Sequence, residues 1–262
     1  MKVNLSQHDR SGFTLMELML CVFIFTALMI ISIMAHRQTR LQANEAVSIS
    51  RLRELVAANL MHAAEKGTYA PATDRANRKR WHGGRSIAGQ RFDPTKGFLA
   101  PYLNESERVS KCPEFDRMVL TKTSWEDGSG GYGYNATYIG GLPENPFRPN
   151  RPTQVPRPSS TLMFATTALA KSDGLQEYPF AEPFQWVNTS GKLSGPLQPS
   201  VHFRFGKNAL IAWCDGHVTQ EVTSDKSVLN HYGGSNSEHQ IGFCGPSENN
   251  GWWNPTKEPN PD

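Results

Sequence analysis

The sequence predicts an α+β fold in which a long N-terminal α-helix packs on a small antiparallel β-sheet domain with long loops. Three observations predict it. Residues 13–35 are the one long apolar run, helical periodicity then continues to Lys66 without a proline, and short β-prone segments separated by glycine and proline begin at Thr68. With 262 residues, 38% of them hydrophobic, the chain suits one sizeable domain plus an appendage rather than a polytopic membrane protein.

The apolar run of residues 13–35 contains a single charged side chain, Glu17. As a helix it is about 34 Å long, which is enough to cross a hydrocarbon core of about 30 Å. Lys2 and Arg10 precede it, which favours a cytoplasmic leader and a single-pass arrangement. A secretory signal peptide and an uncut signal anchor share this hydropathy, but the residues after the run lack the small-residue site at which signal peptides are cut.

Glu17 distinguishes between these alternatives. A carboxylate within a membrane-spanning helix costs on the order of 3 kcal/mol, so it requires a partner. The stretch Gly12-Phe-Thr-Leu-Met-Glu17 closely resembles the prepilin cleavage and methylation motif. The resemblance implies that a prepilin peptidase cuts after Gly12 and methylates the new N-terminal residue, Phe13. It also implies that Glu17 pairs with the Phe13 amine of a neighbouring subunit and sets the register of assembly.

The same resemblance implies the pilin-like lollipop layout. Its parts are a leader (1–12), the membrane-spanning half of the helix (13–35), an extramembrane amphipathic half (36–66) and a globular β-rich domain with long loops (67–262). The extramembrane half carries a mainly apolar stripe at three- and four-residue steps, formed by Leu41, Glu45, Ser48, Leu52, Leu55, Val56, Asn59 and Leu60. The pair Lys66-Gly67 is typical of a helix end.

The globular part contains few strand signals. Residues 160–167 predict a buried strand. Residues 208–214 and 217–222 flank Asp215-Gly216 and predict a hairpin. We therefore expect three or four antiparallel strands packed on the outer half of the helix. The proline-rich residues 143–158 are expected to form an extended connection.

The globular part also resembles the H-x9-DG (processing-associated) domain of prepilin-type proteins. The segments that carry this resemblance are residues 111–116, 131–135, 158–164 and 208–218. Asp215 and Gly216 match the Asp-Gly of the motif. Phe205 stands where the family has histidine, and the nearest histidine, His202, lies three residues too early.

The sequence predicts no resident cofactor and no enzyme activity, because it contains no nucleophile elbow, P-loop or zinc-protease motif. Asp215 has two interpretations. With Gly216 it forms a tight turn, for which both residue types are suited. Alternatively it is a Ca²⁺ ligand, since the resemblance to pseudopilins implies a C-terminal calcium loop.

Four cysteines are present, without a Cys-x-x-Cys spacing. Cys21 lies in the apolar run, and the other three, Cys112, Cys214 and Cys244, are candidates for one disulfide if the globular domain is outside the cytoplasm. The net charge of +3 is too small to predict nucleic-acid binding. The one basic cluster, residues 75–82, is expected to be a solvated loop.

The prepilin resemblance implies a structural subunit that assembles with like or related pilin subunits, through an inner-membrane assembly platform, into a type II secretion pseudopilus or a type IV pilus-like fibre. The globular domain is expected on the periplasmic or extracellular side of the inner membrane. The alternative is a membrane-anchored surface adhesin or carbohydrate-binding module. It is motivated by Trp252 and Trp253, which either bind a ligand or pack on the domain. An anchored enzyme is the third possibility.

Overall fold

The computed structural model describes residues 14–103, 108–118, 126–141, 148–188, 190–225 and 229–256. The chain divides into two compact units, Met1–Ala43 and Asn44–Asp262. The second unit, which we call the body, therefore begins inside the long helix rather than after it. The predicted leader, with Gly12, and the adjacent Phe13 lie outside the described residues.

Helix α1 spans Leu15–Lys66, and its 52 residues contain neither proline nor glycine. It ends at Gly67, whose φ of +79° is the left-handed conformation that glycine adopts at helix C-termini. The Gly67 N–H donates to the carbonyl of Ala63 at 2.9 Å. The predicted helix and its end are thus confirmed.

The part of α1 that belongs to the body buries one face. Leu52, Leu55 and Val56 lie on this face and are at most 2% exposed. Their three- and four-residue spacing places them on one side of the helix. The predicted stripe agrees with this face from Ser48 to Asn59, whereas Leu41 and Glu45 are only half-buried and Leu60 is 37% exposed. Burial of these side chains makes the helix part of the body's core rather than a tether.

The described part of the body also contains a second, six-residue α-helix, several short helical turns and many short strands. Helix α2 spans Pro113–Met118. The strands are β1 (Lys79–Arg80), β2 (Gly83–Gly84), β3 (Tyr132–Tyr134), β4 (Leu162–Thr166), β5 (Leu169–Lys171), β6 (Gly174–Gln176), β7 (Gln185–Val187), β8 (Leu193–Pro196), β9 (Val201–His202), β10 (Asn208–Trp213), β11 (Val218–Asp225) and β12 (Ile241–Cys244).

One antiparallel sheet organises the body. Its strand order is β3-β4-β10-β11-β12-β9, and the remaining strands form the two-stranded ribbons β1-β2, β5-β6 and β7-β8. The predicted α+β fold is confirmed, but the expected three or four strands are too few. Strands β3, β9 and β12 have only 3, 2 and 4 residues. Segments this short show no apolar alternation that sequence patterns could detect.

The predicted hairpin is confirmed as β10 and β11. These strands pair from Asn208 opposite Val222 to Ala212 opposite Val218. The turn between them contains Gly216 at φ +98° and is closed by the Trp213 N–H, which donates to the carbonyl of His217 at 3.0 Å. Strand β4, which confirms the predicted buried strand, pairs with β10 on its other side, and all its residues are buried.

Other parts of the body contact both faces of the sheet. On one face, Gln220 of β11 donates to the carboxylate of Glu45 in α1. On the other face, Ile211 and Phe243 pack with Trp253 of the C-terminal segment in one apolar cluster. Since alternate residues of a strand point to opposite faces, α1 and the C-terminal segment contact opposite faces of the sheet.

Asn59 fixes the connection between α1 and the sheet. Its Nδ2 donates to the Tyr134 hydroxyl at 3.0 Å and to Met163 Sδ at 3.4 Å, and its Oδ1 accepts the Ala70 N–H at 2.7 Å. The Tyr134 hydroxyl in turn donates to the Ala70 carbonyl at 3.0 Å. A fully buried amide with these partners positions the chain that follows the helix.

Candidate functional site

Helix α1 begins with a capping box formed by Thr14 and Glu17. The Glu17 carboxylate accepts a hydrogen bond from the Thr14 N–H at 2.9 Å and another from the Thr14 hydroxyl at 2.8 Å. The Glu17 N–H donates back to Thr14 Oγ1 at 3.2 Å. These reciprocal bonds satisfy donors that a helix N-terminus leaves unpaired, and the carboxylate faces the positive end of the helix dipole. Glu17 is therefore oriented by its own chain.

The helix surface that follows Glu17 is apolar and exposed. Large hydrophobic side chains between residues 18 and 34 are 49–71% exposed. Among the described residues, α1 is the one helix with the length and apolar composition to cross a membrane. An apolar surface of this extent requires lipid or other protein to cover it.

The expected partner of Glu17 is the Phe13 amine of a neighbouring subunit. Gly12 and Phe13 lie outside the described residues, so that pair stays a prediction. Sequence reasoning missed the partner of Glu17 that the structure does show, which is Thr14, three residues earlier in the chain. The signal was present, because Thr-x-x-Glu before an apolar run is the capping-box pattern.

Asp215 and Gly216 lie in the β10–β11 turn. Asp215 Oδ1 accepts the His217 N–H at 3.2 Å and lies 2.6 Å from His217 Nδ1. In the part of the chain that the structure describes, no three His, Cys, Asp or Glu side chains come together as metal ligands. The turn geometry accounts for both residues, and the described residues bring no third ligand of these types to Asp215 and His217.

Phe205, which occupies the position of the H-x9-DG histidine, belongs to the core. It is 2% exposed, and its N–H and carbonyl both bond to Asn208 at 3.0 Å. His202 lies on β9, opposite Ile241, and is buried as well. Burial, reinforced by the charge of Arg204, holds the pKa of His202 well below its usual range. His202 is therefore a neutral core residue rather than a substitute for the motif histidine.

The three body cysteines are free thiols, so the expected disulfide is not formed. Cys112 Sγ lies 3.2 Å from the Ser48 hydroxyl of α1. Cys214 follows β10 while Cys244 lies on β12, and β11 separates them. Because neighbouring strands are about 4.8 Å apart, this pair exceeds the about 7 Å between Cα atoms that a disulfide tolerates. Burial also raises the pKa of the Cys214 and Cys244 thiols, which keeps them unreactive.

The two C-terminal tryptophans pack on the body. Trp253 is fully buried, and its indole N–H donates to the Ala181 carbonyl at 2.9 Å. Trp252 is partly buried against the same cluster and meets the Trp213 ring edge-on, with 5.2 Å between centroids. The packing alternative is therefore confirmed, and the tail no longer argues for a sugar-binding surface.

Comparison with known families assigns the N-terminus. The family described as the prokaryotic N-terminal methylation motif matches residues 7–33, which include Gly12, Phe13 and Glu17. Neither the curated proteins nor the solved structures contain a match. The H-x9-DG resemblance of the body stays a prediction.

The matched motif has consequences for processing and location. It implies cleavage by a prepilin peptidase and assembly with other pilin subunits. Together with the exposed apolar helix it indicates a membrane-anchored protein of the pilin or pseudopilin type. The chain is therefore prepilin-like, and the feature that makes it so is its N-terminal methylation motif.

Proposed function

We propose that this chain is a structural subunit of a type II secretion pseudopilus or a type IV pilus-like fibre. A prepilin peptidase cuts after Gly12 and methylates Phe13, and an inner-membrane platform then assembles the product with like or related subunits. One observation carries the proposal. The methylation motif at residues 7–33 coincides with a capped helix whose apolar, exposed segment begins at a single carboxylate, Glu17.

The apolar segment supplies the driving force for assembly. In the bilayer, lipid covers the side chains of residues 18–34. When a subunit leaves the bilayer, apolar segments of its neighbours must replace the lipid. Leaving a large apolar side chain in water instead costs about 1.5–3 kcal/mol. Packing of these helices into a bundle is thus favoured without strong contacts between bodies.

Glu17 sets the register of the bundle. Thr14 donates two hydrogen bonds to its carboxylate, but both donors are neutral and leave the negative charge uncompensated. Cleavage after Gly12 creates a positive amine at Phe13 in every subunit. A neighbour's amine can compensate Glu17, and the attraction is strong where water is excluded. A bundle shifted by one helical turn would leave both charges unpaired.

We place the leader on the cytoplasmic side and the body on the periplasmic or extracellular side of the inner membrane. Lys2 and Arg10 favour this orientation, but Arg37 and Arg40 beyond the apolar segment make the charge bias small. Protease added to spheroplasts tests the orientation directly. We expect digestion of the body, and protection of the body until the membrane is permeabilised would contradict the assignment.

Mass spectrometry of the membrane fraction tests the processing. We expect a peptide that begins with N-methyl-Phe13 in a host that contains the peptidase. A Gly12→Val variant should retain the leader, because the larger side chain alters the cleavage position, whereas Ser11→Ala is a control that should be processed normally. Detection of intact Met1 in the membrane-inserted wild-type chain would overturn the proposal.

A purely structural, non-enzymatic role is part of the proposal. The adhesin alternative was motivated by Trp252 and Trp253, and the packing of both on the body removes that motivation. We therefore propose no second function on the basis of the tail.

A further inference from the structure

One surface of the body forms a cleft lined mainly by basic side chains. Its volume is about 630 Å³, and its walls include five basic residues and two acidic ones. The basic residues are Arg78, Lys79, Arg85, Arg91 and Lys96. The basic cluster at residues 75–82 is thus not a loose solvated loop, since β1 lies within it and pairs with β2.

Backbone contacts hold the walls of the cleft together. Gly84 of β2 exchanges two hydrogen bonds with Asp93, of 2.9 and 2.6 Å. A Cβ atom on Gly84 would lie 2.8 Å from the Cβ of Lys96, so only glycine permits this approach. The approach brings Lys96 to the same cleft as Arg78 of the preceding segment.

Aromatic rings and carbonyls orient two of the cations. The Arg85 guanidinium lies over the Phe92 ring at 4.3 Å, and its Nε donates to the Asn77 carbonyl at 3.0 Å. The Lys79 ammonium lies over the Phe98 ring at 4.7 Å. Such contacts restrict side-chain rotamers before a ligand arrives, which lowers the entropic cost of binding.

The two carboxylates of the cleft are also held in place. Asp74 Oδ1 accepts the N–H groups of Arg78 at 2.6 Å and Lys79 at 3.1 Å. Asp93 accepts the Thr95 hydroxyl at 2.7 Å and pairs with Lys96 at 3.1 Å. Because an ionised carboxylate has about four acceptor sites, both residues can accept further hydrogen bonds from hydroxyl groups.

We propose that this cleft binds an acidic glycan, a saccharide that carries carboxylate or sulfate groups beside its hydroxyls. The guanidinium and ammonium groups pair with the anionic substituents, while Asp74 and Asp93 accept the sugar hydroxyls. A nucleic acid fits less well, since it carries a phosphate on every nucleotide and offers few hydroxyls to Asp74 and Asp93. In addition, no aromatic side chain is among the described residues that line the cleft, so bases would find no ring to stack on.

Calorimetric titration of the full chain in phosphatidylcholine nanodiscs tests the proposal. An oligogalacturonate probes carboxylate recognition, and a heparin oligosaccharide probes sulfate recognition. We expect at least one of them to bind in about 0.05 M NaCl and to bind about tenfold more weakly in about 0.3 M NaCl, because added salt screens exposed charges. The paired substitution Arg78→Gln with Lys79→Gln should weaken binding about tenfold, since it removes two charge-assisted contacts.

The matched control removes the same charge elsewhere. Arg151 and Lys192 are exposed and do not line the cleft. The paired substitution Arg151→Gln with Lys192→Gln should leave the affinity unchanged. Thermal unfolding of both variants, followed by circular dichroism, should match that of the wild type. Any of four results would overturn the proposal: no binding of either acidic glycan, equal binding of neutral dextran, tighter binding of oligothymidylate, or equal loss of affinity in the control.

Discussion

At the scale of single residues, Glu17 has one partner within its chain and a second proposed in its neighbour. Thr14 orients the carboxylate through the capping box. In the fibre that we propose, the Phe13 amine of a neighbouring subunit would compensate its charge. The orientation of the carboxylate depends on Thr14 and its charge on Glu17, so substitutions can separate the two effects.

We expect Glu17→Gln to abolish fibre assembly while the N-methyl-Phe13 peptide is still produced. The substitution removes the charge but leaves the apolar segment and the cleavage position intact. Thr14→Val, which keeps the charge and removes the cap, should weaken the helix start by about 1 kcal/mol and only reduce assembly. Fibres sheared from cells and quantified by immunoblot provide the measurement. Wild-type assembly by Glu17→Gln would contradict the role of the charge.

Two buried histidines make the stability of the body sensitive to pH. His82 is 1% exposed, and neither ring nitrogen has a hydrogen-bond partner among the described residues. Burial first, and then the charges of Arg80 and Arg85, hold the pKa of His82 well below its usual range. Burial and the charge of Arg204 do the same for His202. Both side chains are therefore neutral in the folded body at neutral pH.

We expect the body to lose stability as the pH falls below about 6.5, the pKa of an unfolded-state histidine. The unfolded chain then binds protons that the folded chain excludes, so each histidine lowers the free energy of unfolding by up to about 1.4 kcal/mol per pH unit. Above pH 6.5 this stability is fully present. Thermal melts between pH 7.5 and 5 provide the test. His82→Gln should flatten the dependence, and substitution of the exposed His231 should not. Equal pH dependence of the melting temperature in the wild type and both variants would contradict the low pKa of His82.

The body cysteines provide a further test at the residue scale. In a Cys21→Ser chain we expect no labelling by a maleimide in the folded state and three labels after unfolding, because Cys112, Cys214 and Cys244 are buried and free. Intact mass spectra with and without reductant should agree. A mass lower by two hydrogens in the non-reduced chain would show a disulfide and contradict the structure.

At the scale of elements, the second part of α1 is both the end of an anchor and a piece of the core. Leu52, Leu55 and Val56 are completely enclosed by the body, and Asn59 ties the helix to β3 and β4. The boundary between anchor and body therefore falls inside a continuous helix.

We expect a soluble fragment of residues 44–262 to fold cooperatively and a fragment of residues 67–262 to remain unfolded. The shorter fragment lacks the buried face of α1, and each large side chain lost from a core costs about 2–5 kcal/mol. Several such residues are missing from the shorter fragment. Their combined loss is as large as the 5–15 kcal/mol that typically stabilises a whole domain. Thermal melts and amide hydrogen exchange distinguish the outcomes. Cooperative folding of the shorter fragment would contradict the assignment of the helix to the core.

At the scale of the whole molecule, one chain combines a segment that requires an apolar environment with a body that does not. We expect the full chain to remain in the membrane pellet after alkaline carbonate extraction, and the fragment of residues 44–262 to be recovered in the soluble fraction. The control is Asp substitution of Ile24 and Ile31, two exposed apolar residues of α1, which should release the full chain because charges within a span are costly. Release of the unsubstituted chain by carbonate would contradict the anchor.

Features that depend on local order and spacing were predictable from the amino-acid sequence. These are the apolar segment, the methylation motif with Glu17, the helix end at Gly67 and the β10–β11 hairpin around Asp215-Gly216. Each follows from the periodicity or turn chemistry of neighbouring residues.

Features that depend on contacts between distant segments came from the tertiary structure. It added β3, β9 and β12 to the sheet, because strands of two to four residues are stabilised by their partners rather than by their own pattern. It separated the cysteines by an intervening strand, buried Trp253, and gathered Arg78 and Lys96 into one cleft. None of these follows from spacing along the chain, since each is fixed by which surfaces the fold brings together.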